Sequence, residues 1–272
     1  MPTPLGNLRD ITLRALDLLR ECDLLIAEDT RVARRLLAAL DLPGKEIWSY
    51  REQNASGATD RILERAVAER VAVVSDAGTP GISDPGRDLV VAARERGIAI
   101  DVLPGPSAFV CALVLSGFPI ARFAFDGFVA RAVGERERQL RDALASGRTT
   151  AFYEAPARII ATLEALAALA PLAHVFVARE LTKRFEEHLI GRPGEIARAL
   201  AQPVRGEIVL VVAPFESVRT APDATAIDDA IDAGLVRGVA LSALAKDLAH
   251  RGFGTRAELY RRASDRKGGG AT

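Results

Sequence analysis

Short apolar runs alternate with helical patterns throughout residues 1–118, and this alternation restricts the possible folds more than any other feature. The apolar runs have the length of buried strands and are Leu24–Ala27, Ile47–Tyr50, Val71–Ser75 and Ile98–Leu103. Helical patterns lie between them, with Asp10 and Thr30 as the expected N-caps of the first two helices. Parallel strands need such helical crossovers, so the sequence predicts a mainly parallel sheet with helices on both faces.

The pattern restarts at Phe123 with strands that follow one another more closely. They are Phe123–Val129, Thr149–Tyr153, Val175–Ala178, Glu186–Ile190 and Ile208–Ala213, and this spacing favours a mixed sheet. We therefore predict an α/β fold, with one α/β domain over residues 1–118 and a second over 119–215. Residues 223–264 show only short helical patterns and are predicted to form a small C-terminal helical appendix. The tail 265–272 contains consecutive glycines and is predicted to be disordered.

Charge and cysteine content exclude several classes of protein. The chain has 36 Lys and Arg against 36 Asp and Glu, so any contact with nucleic acid has to come from local patches. Cys22 and Cys111 lie in apolar helical patterns and the histidines are scattered, so no metal site is expected. The sequence shows no signal segment at its N-terminus and no apolar run long enough to cross a bilayer. We expect a cytoplasmic protein without a membrane partner.

Loops at the carboxyl ends of the predicted strands carry the candidate chemistry, because ligands of open α/β sheets bind at that edge. The loop Ser75–Gly86 is rich in Gly, Pro, Ser, Thr and Asp, which gives a stiff backbone with exposed N–H and C=O groups. Such a loop suits an amphoteric ligand, although an ordinary turn-rich connection has the same composition. Pro104–Ser107 precedes a helix whose N–H groups could hold a carboxylate, and the alternative is that Ser107 serves only as an N-cap. The sequence contains no phosphate-binding glycine motif and no evident Ser-His-acid arrangement.

Short motifs that occur along the chain in a fixed order are more specific than any one loop. They are TPLGNLRDIT at Thr3–Thr12, AEDTR at Ala27–Arg31, VSDAGTP at Val74–Pro80, LPGPS at Leu103–Ser107, FYE at Phe152–Glu154, ARELTK at Ala178–Lys183 and GE at Gly206–Glu207. Together they closely resemble the small-subunit ribosomal RNA methyltransferase I family, the RNA-acting branch of the tetrapyrrole methylases. The resemblance covers essentially the whole chain.

The resemblance implies a two-domain tetrapyrrole-methylase-like fold with S-adenosylmethionine bound in the cleft between the domains. The implied reaction is methylation of the ribose 2′-hydroxyl of a cytidine in the decoding region of 16S ribosomal RNA. The implied enzyme is a homodimer whose partner is this RNA or the small ribosomal subunit. By similarity, the cofactor-binding residues are Leu5, Gly6, Asp76, Ala77, Gly78, Thr79, Ile82, Gly105, Ser107, Ala108, Glu154 and Leu181.

Two stretches depart from the pattern of the family. Relatives begin with an apolar strand before the first motif, whereas this sequence starts at Met1-Pro2, and we expect a start site further upstream or a partial sequence. Without that strand, neighbouring backbone groups of the sheet would lack partners. Relatives often carry His-x-His-Asn after the second strand, and only Asn54 of residues 51–54 matches here.

Candidate catalytic residues follow from the chemistry of the implied reaction. A neutral ribose hydroxyl is a poor nucleophile, so a base, or a Lys or Arg that stabilises developing alkoxide, is expected to assist. The candidates are Arg179, Glu180 and Lys183, which end a predicted strand and face the presumed cleft. The alternative for these residues is a structural ion-pair cluster.

Contacts with RNA phosphates are expected from basic residues in two regions. One is the segment after Phe123–Val129, where Arg131 lies, although a solvated helix face is the alternative for the arginines just beyond it. The other is the basic C-terminal set, Arg251, Arg256, Arg261 and Arg262. Aromatic residues make up only 5% of the chain, which argues against a stacking platform for single strands.

Two other functions remain open at this stage. A tetrapyrrole C-methyltransferase would share the fold, but a small acidic macrocycle does not need a basic helical appendix. A non-enzymatic RNA- or ribosome-binding module would not need the Asp76–Pro80 and Pro104–Ser107 loops.

Overall fold

The computed structural model describes residues 1–51, 55–84, 86–215, 224–250 and 253–269. The chain forms two compact units, Met1–Phe215 and Glu216–Thr272. In the described residues no helix is both long enough and apolar enough to span a membrane.

A parallel sheet lies in the first part of the larger unit. Its strands are β1 (Leu24–Ala27), β2 (Glu46–Ser49) and β3 (Val71–Val74), in the order β2-β1-β3. The helices around it are α1 (Leu13–Glu21), α2 (Thr30–Ala39), α3 (Ala55–Ala66) and α4 (Arg87–Glu95). Apolar residues cover both faces of the sheet, with Leu25 in the cluster on one face and Ile26 in the cluster on the other. The parallel sheet predicted from the alternation is confirmed.

The first two helices begin at different residues from those expected. Asn7 accepts a hydrogen bond from the Arg9 N–H and holds residues 8–10 in a short 3-10 turn. Helix α1 therefore begins after Thr12, whose side chain accepts from the Ala15 N–H. The N-cap predicted at Asp10 is wrong for this reason, and the cap of α2 is Asp29 rather than Thr30.

Residues 98–103 do not form the predicted strand. A strand forms only where it pairs with a neighbour. In the described residues β3 is the edge strand of its sheet, and residues 98–103 are not paired with it. A groove of about 520 Å³, lined by Met1, residues 71–73 and Leu103, lies between β3 and this segment. The Met1 amino group donates to the Val73 carbonyl at 2.8 Å, at the edge of β3.

A mixed sheet forms the rest of the larger unit, as the sequence predicted. Its strands are β4 (Phe123–Phe128), β5 (Thr149–Glu154), β6 (Val175–Arg179), β7 (Glu187–Gly191) and β8 (Ile208–Val212), in the order β4-β5-β8-β6-β7. Only the β4–β5 pair is parallel among these described strands. One face packs against α6 (Val133–Ala145), α7 (Ile159–Leu169) and α8 (Pro193–Ala199).

The other face of the mixed sheet packs against helix α5 (Ala108–Ser116). Ala112 and Leu113 of this helix lie in one buried cluster with Ala151 and Val209 of the sheet. Helix α5 thus precedes the predicted boundary at residue 118 but packs with the elements that follow it. The division into domains 1–118 and 119–215 stays a prediction, since the two parts form one compact unit.

The smaller unit contains helices α9 (Ala224–Val236), α10 (Leu241–His250) and α11 (Arg256–Gly269), as predicted. Ile231, Leu244 and Leu259 meet in its apolar core. The tail predicted to be disordered from residue 265 is helical as far as Gly269. Arg266 near the end of α11 pairs with Asp228 and Asp232 of α9, which stabilises this last part of the helix.

Candidate functional site

The carboxyl ends of β1 and β3 place acidic residues and a glycine-bearing loop at one edge of the parallel sheet. The Asp76 carboxylate accepts a hydrogen bond from the backbone N–H of Asp29 at 3.1 Å, so the ends of the two strands are linked. Thr3 and Gly78 exchange backbone hydrogen bonds of 2.9 and 3.0 Å. The first motif of the chain therefore lies directly against the 76–84 loop.

Gly78 is required by both its backbone conformation and its surroundings. Its φ of 77° lies in the left-handed region, and a Cβ at this position would stand 3.1 Å from Leu5 and 3.5 Å from the Pro106 carbonyl. The Thr79 hydroxyl donates to the same Pro106 carbonyl at 2.9 Å. These contacts hold the loop against the start of α5.

Ser107 occupies the N-cap position of α5, but its side chain makes no capping hydrogen bond. The alternative that Ser107 serves only as a cap is therefore not supported. An uncapped first turn leaves backbone N–H groups available to a carboxylate or another anion.

The loops and the second sheet converge on a cavity of about 310 Å³. Every residue predicted to bind the cofactor lines this cavity except Gly6 and Gly105. A Cβ on Gly6 would overlap the Lys183 side chain, and one on Gly105 would overlap Pro2, so both glycines serve close packing. That the lining residues bind a cofactor stays a prediction.

Several lining residues were not singled out from the sequence. They are Ser83, Asp84, Phe128, Tyr153, Ala155, Pro156, Ala178, Gly206, Glu207, Ile208 and Val209. Ser83 and Asp84 could have been found from the sequence, because both lie in the Ser75–Gly86 loop. Tyr153, Ala178 and Gly206-Glu207 fall within the motifs FYE, ARELTK and GE.

Glu154 lines the cavity but has its carboxylate fully engaged by the protein. It accepts hydrogen bonds from the Ala155 N–H at 2.7 Å and from the Thr162 hydroxyl at 2.6 Å. It also pairs with Arg158 at 2.7 Å, and its side chain is completely buried. These contacts indicate a structural role at the end of β5.

Arg179, Glu180 and Lys183 form ion pairs and do not line the described cavity. Arg179 pairs with Glu187 at 2.8 Å, and Lys183 contacts Glu180 at 2.9 Å and Glu207 at 3.2 Å. These contacts agree with the structural alternative considered for this set. A catalytic role for the three residues stays a prediction.

Electrostatics distinguish the carboxylates near the cavity. Burial, followed by the negative charge of Glu28, raises the pKa of Asp84 to about 6. Burial, followed by the charge of Asp76, also raises the pKa of Glu28. Hydrogen bonds from Arg31 instead hold the pKa of Asp29 well below its usual range. Burial raises the pKa of Tyr153 to about 12.

The residues predicted to contact RNA have different environments. Arg131, Arg256 and Arg261 are exposed. Arg262 is not free, because it donates to Asp228 at 2.7 Å and to the Ala224 carbonyl at 2.9 Å within its own unit. Its place in the RNA-facing set stays a prediction, and contact with a phosphate there would have to compete with these bonds. Arg251 lies outside the described residues. So does Asn54, the one residue that matches the His-x-His-Asn pattern of relatives.

No cluster of His, Cys, Asp and Glu that could hold a metal ion occurs in the described part of the chain. Acidic, aromatic and backbone groups line the cavity.

Comparison with known proteins identifies the class to which this fold and cavity belong. A family model of tetrapyrrole (corrin/porphyrin) methylases matches residues 2–197, and the chain belongs to this family. Within it, a ribosomal RNA small subunit methyltransferase I of Halalkalibacterium halodurans is 41% identical over 212 residues, which are 77% of this chain and 73% of that protein.

Proteins of the same name in other bacteria show similar likeness. The one from Thermotoga maritima is 41% identical over 79% of this chain and 96% of its own length. The one from Mesorhizobium japonicum is 39% identical over 96% of this chain and 88% of its own length. The resemblance drawn from the sequence motifs is thus confirmed.

Solved structures of more distant proteins share the fold. Diphthine synthase superposes with a TM-score of 0.62 over 77% of this chain and 87% of its own, at 16% identity. A Thermus thermophilus uroporphyrin-III C-methyltransferase complexed with S-adenyl homocysteine gives a TM-score of 0.54 over 80% of this chain and 96% of its own, at 21% identity. At these identities the likeness concerns the fold alone, and it confirms the predicted fold class.

Proposed function

We propose that this chain is an S-adenosylmethionine-dependent methyltransferase that methylates the ribose 2′-hydroxyl of a cytidine in the decoding region of small-subunit ribosomal RNA. The observation that carries the proposal is the convergence of the 76–84 loop, the start of α5 and the second sheet on one cavity. The relatives named as small-subunit ribosomal RNA methyltransferases supply the class of substrate.

The residues that line the cavity support this choice of cofactor through their apolar surface and their charge. S-adenosylmethionine supplies a methyl group activated by a positively charged sulfur. Leu5, Ile82 and Leu181 offer apolar surface to an adenosine, and the Asp76 carboxylate suits a cation. Because Gly78 has no side chain, its backbone can be approached closely by a ligand in the cavity. A Cβ at this position would also meet Leu5.

Methyl transfer of this kind depends mainly on alignment of the acceptor with the donor. Holding two reactants in line can lower a barrier by roughly 7–11 kcal/mol. In this chain the rigid elements are the 76–84 loop, tied to Thr3 by backbone hydrogen bonds, and α5, tied to the loop through Thr79 and Pro106. These hydrogen bonds connect the two elements that line one side of the cavity.

Contacts with RNA are proposed to come from Arg131 in the larger unit and, as a separate set, from Arg256 and Arg261 in the smaller one. All three side chains are exposed, and none has an ion-pair partner in the described part of the chain. They can therefore neutralise phosphates without first breaking a contact within the protein. A structured RNA would be recognised through such phosphate contacts and through its ribose hydroxyls.

A homodimer is also part of the proposal, and helix α5 supports it. Its sequence is apolar on all sides, yet one face is open to solvent, with Val114 64% exposed and Leu115 47% exposed. An apolar face of this kind favours contact with another protein surface. Light scattering is expected to give the mass of a dimer, and Val114→Glu is expected to shift the mass to that of one chain.

The deciding experiment offers three acceptors to the purified protein with labelled S-adenosylmethionine. They are small ribosomal subunits that lack the modification, free 16S RNA, and a tetrapyrrole precursor. The proposal expects label on a cytidine 2′-oxygen in one of the RNA samples, located by nuclease digestion and mass spectrometry.

Other outcomes assign the protein to another function. Label on the tetrapyrrole alone would identify a C-methyltransferase. Binding of RNA without calorimetric binding of S-adenosylmethionine would identify a non-enzymatic RNA-binding module. Either result contradicts the proposed function.

A further inference from the structure

The ionisable side chains that line the cavity are Asp76, Asp84, Tyr153, Glu154 and Glu207. Most of them are unsuited to accept a proton from a substrate. Glu154 is buried under its own hydrogen bonds, Asp76 accepts from the backbone at Asp29, and Glu207 pairs with Lys183. Asp84 differs from them in both position and surroundings.

The position of Asp84 is set by the backbone of the 76–84 loop. Ser83, the preceding residue, has a φ of 64° in the left-handed region, which turns the chain sharply before Asp84. The Ser83 hydroxyl lies close to strand β4, 3.7 Å from where a Cβ on Gly127 would stand. The loop therefore reaches across the cavity towards Phe128 and Tyr153, which line it together with Asp84.

The charged groups around Asp84 come from each element packed against it. Glu28 follows β1, Asp76 lies in the same loop, and Tyr153 is on β5, while Ser75 offers a hydroxyl hydrogen bond. Two negative neighbours and partial burial make the ionised form of Asp84 costly, so its carboxylate binds a proton more readily than an exposed one does. Its pKa of about 6 is close to the pH at which a general base is most effective.

We propose that Asp84 is the general base that accepts the proton of the ribose hydroxyl during methyl transfer, an assignment that rests on the proposed function. The hydroxyl oxygen forms a bond to the methyl carbon as the carbon–sulfur bond breaks. The electron pair of that bond goes to sulfur, which leaves as a neutral thioether. The hydroxyl proton moves to the Asp84 carboxylate, so atoms and charges balance.

Kinetics of Asp84→Asn test the assignment, with Asp88→Asn as a matched control. Asp88 lies four residues further on and pairs with Arg87 on the surface, so its substitution makes the same charge change outside the cavity. Single-turnover methylation of unmethylated small subunits is measured from pH 5 to pH 8. The wild-type rate is expected to fall about tenfold per pH unit below pH 6, and Asp84→Asn to lose about 100-fold or more at pH 7.5. Asp84→Glu should restore part of the rate, and Asp88→Asn should match the wild type.

Calorimetry supplies a readout that does not depend on activity. Titration at pH 6 in two buffers with different ionisation enthalpies counts the protons released when S-adenosylmethionine binds. The sulfonium charge favours ionisation of Asp84, so the wild type is expected to release more protons than Asp84→Asn. S-adenosylhomocysteine, which lacks that charge, should abolish the difference. The affinity of Asp84→Asn for S-adenosylmethionine should stay within about threefold of the wild type.

Several results would overturn the assignment. They are a wild-type rate and pH profile in Asp84→Asn, equal proton release in the two proteins, or loss of cofactor binding that accounts for the lost rate. If the fall of the methylation rate below pH 6 disappears in Glu180→Gln and persists in Asp84→Asn, the general base is Glu180. Inactive wild-type protein refutes the proposed function as well, whereas an active wild type with an undiminished Asp84→Asn refutes this assignment alone.

Discussion

Removal of the Glu154 carboxylate should lower the free energy of unfolding of the larger unit without lowering the affinity for S-adenosylmethionine. Glu154 is fully buried and accepts from Thr162 at 2.6 Å and from the Ala155 N–H at 2.7 Å, and it pairs with Arg158 at 2.7 Å. Glu154→Ala leaves a buried hydroxyl and a mostly buried guanidinium without their acceptor. Breaking a buried pair in this way costs about 3–5 kcal/mol in the free energy of unfolding.

Glu154→Gln should have a smaller effect, because its amide oxygen can still accept from the Ala155 N–H while its amide nitrogen donates to the Thr162 hydroxyl, whose role in that bond is reversed. The charge opposite Arg158 is lost. We expect a loss of about 1–2 kcal/mol for this variant. Glu164→Gln is the matched control, since Glu164 is exposed on α7 and its substitution should change stability by less than about 0.5 kcal/mol.

Trp48 makes the assay specific for the larger unit. It is the only tryptophan of the sequence and lies in β2, so its fluorescence during urea unfolding reports that unit. Affinity for S-adenosylmethionine is measured by calorimetry under conditions where each variant is folded. A Glu154→Gln protein of wild-type stability that has lost the cofactor would refute the structural role and restore Glu154 to the binding residues.

Three further perturbations test the 76–84 loop, the exposed arginines Arg256 and Arg261, and the raised pKa of Asp84. Asp76→Ala should weaken S-adenosylmethionine binding about tenfold in calorimetry, because it removes a cavity carboxylate, and unchanged affinity would take this loop out of the site. Charge reversal at Arg256 and Arg261 should lower the salt dependence of RNA binding by about 1.5 in the logarithmic slope and spare cofactor affinity. Equal RNA affinity at low salt would contradict that surface. The raised pKa of Asp84, about 6, means that the folded state holds this proton more tightly than the unfolded chain does. As the pH rises from about 4 to about 6, the free energy of unfolding of the wild type should therefore fall relative to that of Asp84→Asn, and it should stay lower above pH 6. Urea titrations measure this difference, and a difference that does not change with pH would contradict the raised pKa.

The alternation of apolar runs was sufficient to predict the fold class and both sheets, but not which run finds a partner. Ile98–Leu103 has the composition of a strand, yet it does not pair with β3, and both segments line the groove between them. Periodicity reports which side chains become buried, whereas pairing depends on backbone neighbours that are distant in sequence. The shifted caps at Thr12 and Asp29 have a local cause, since two candidate capping residues lie close together in each case.

The candidate site was predictable where it is built from loops at strand ends. The 76–79 stretch and Ser107 line the cavity, as expected of loops at the carboxyl edge of a sheet, and Ala108, taken from the family resemblance, lies beside them. That these residues bind a cofactor stays a prediction. Asp84 and Tyr153 lie in a loop and a motif that the sequence revealed, but neither was singled out, because the pKa of each is raised by burial and by charges from other parts of the chain. The pairing of Arg262 with Asp228 depends on how two helices of the smaller unit pack, which a run of basic residues does not reveal.

The open edge of β3 has a practical consequence for work with this protein. In the described residues β3 has a neighbouring strand on one side only, and an unpaired strand edge can act as a template for association between molecules. The Met1 amino group is buried against Val73, and burial lowers its pKa to about 6. A label attached at Met1 would therefore crowd that edge.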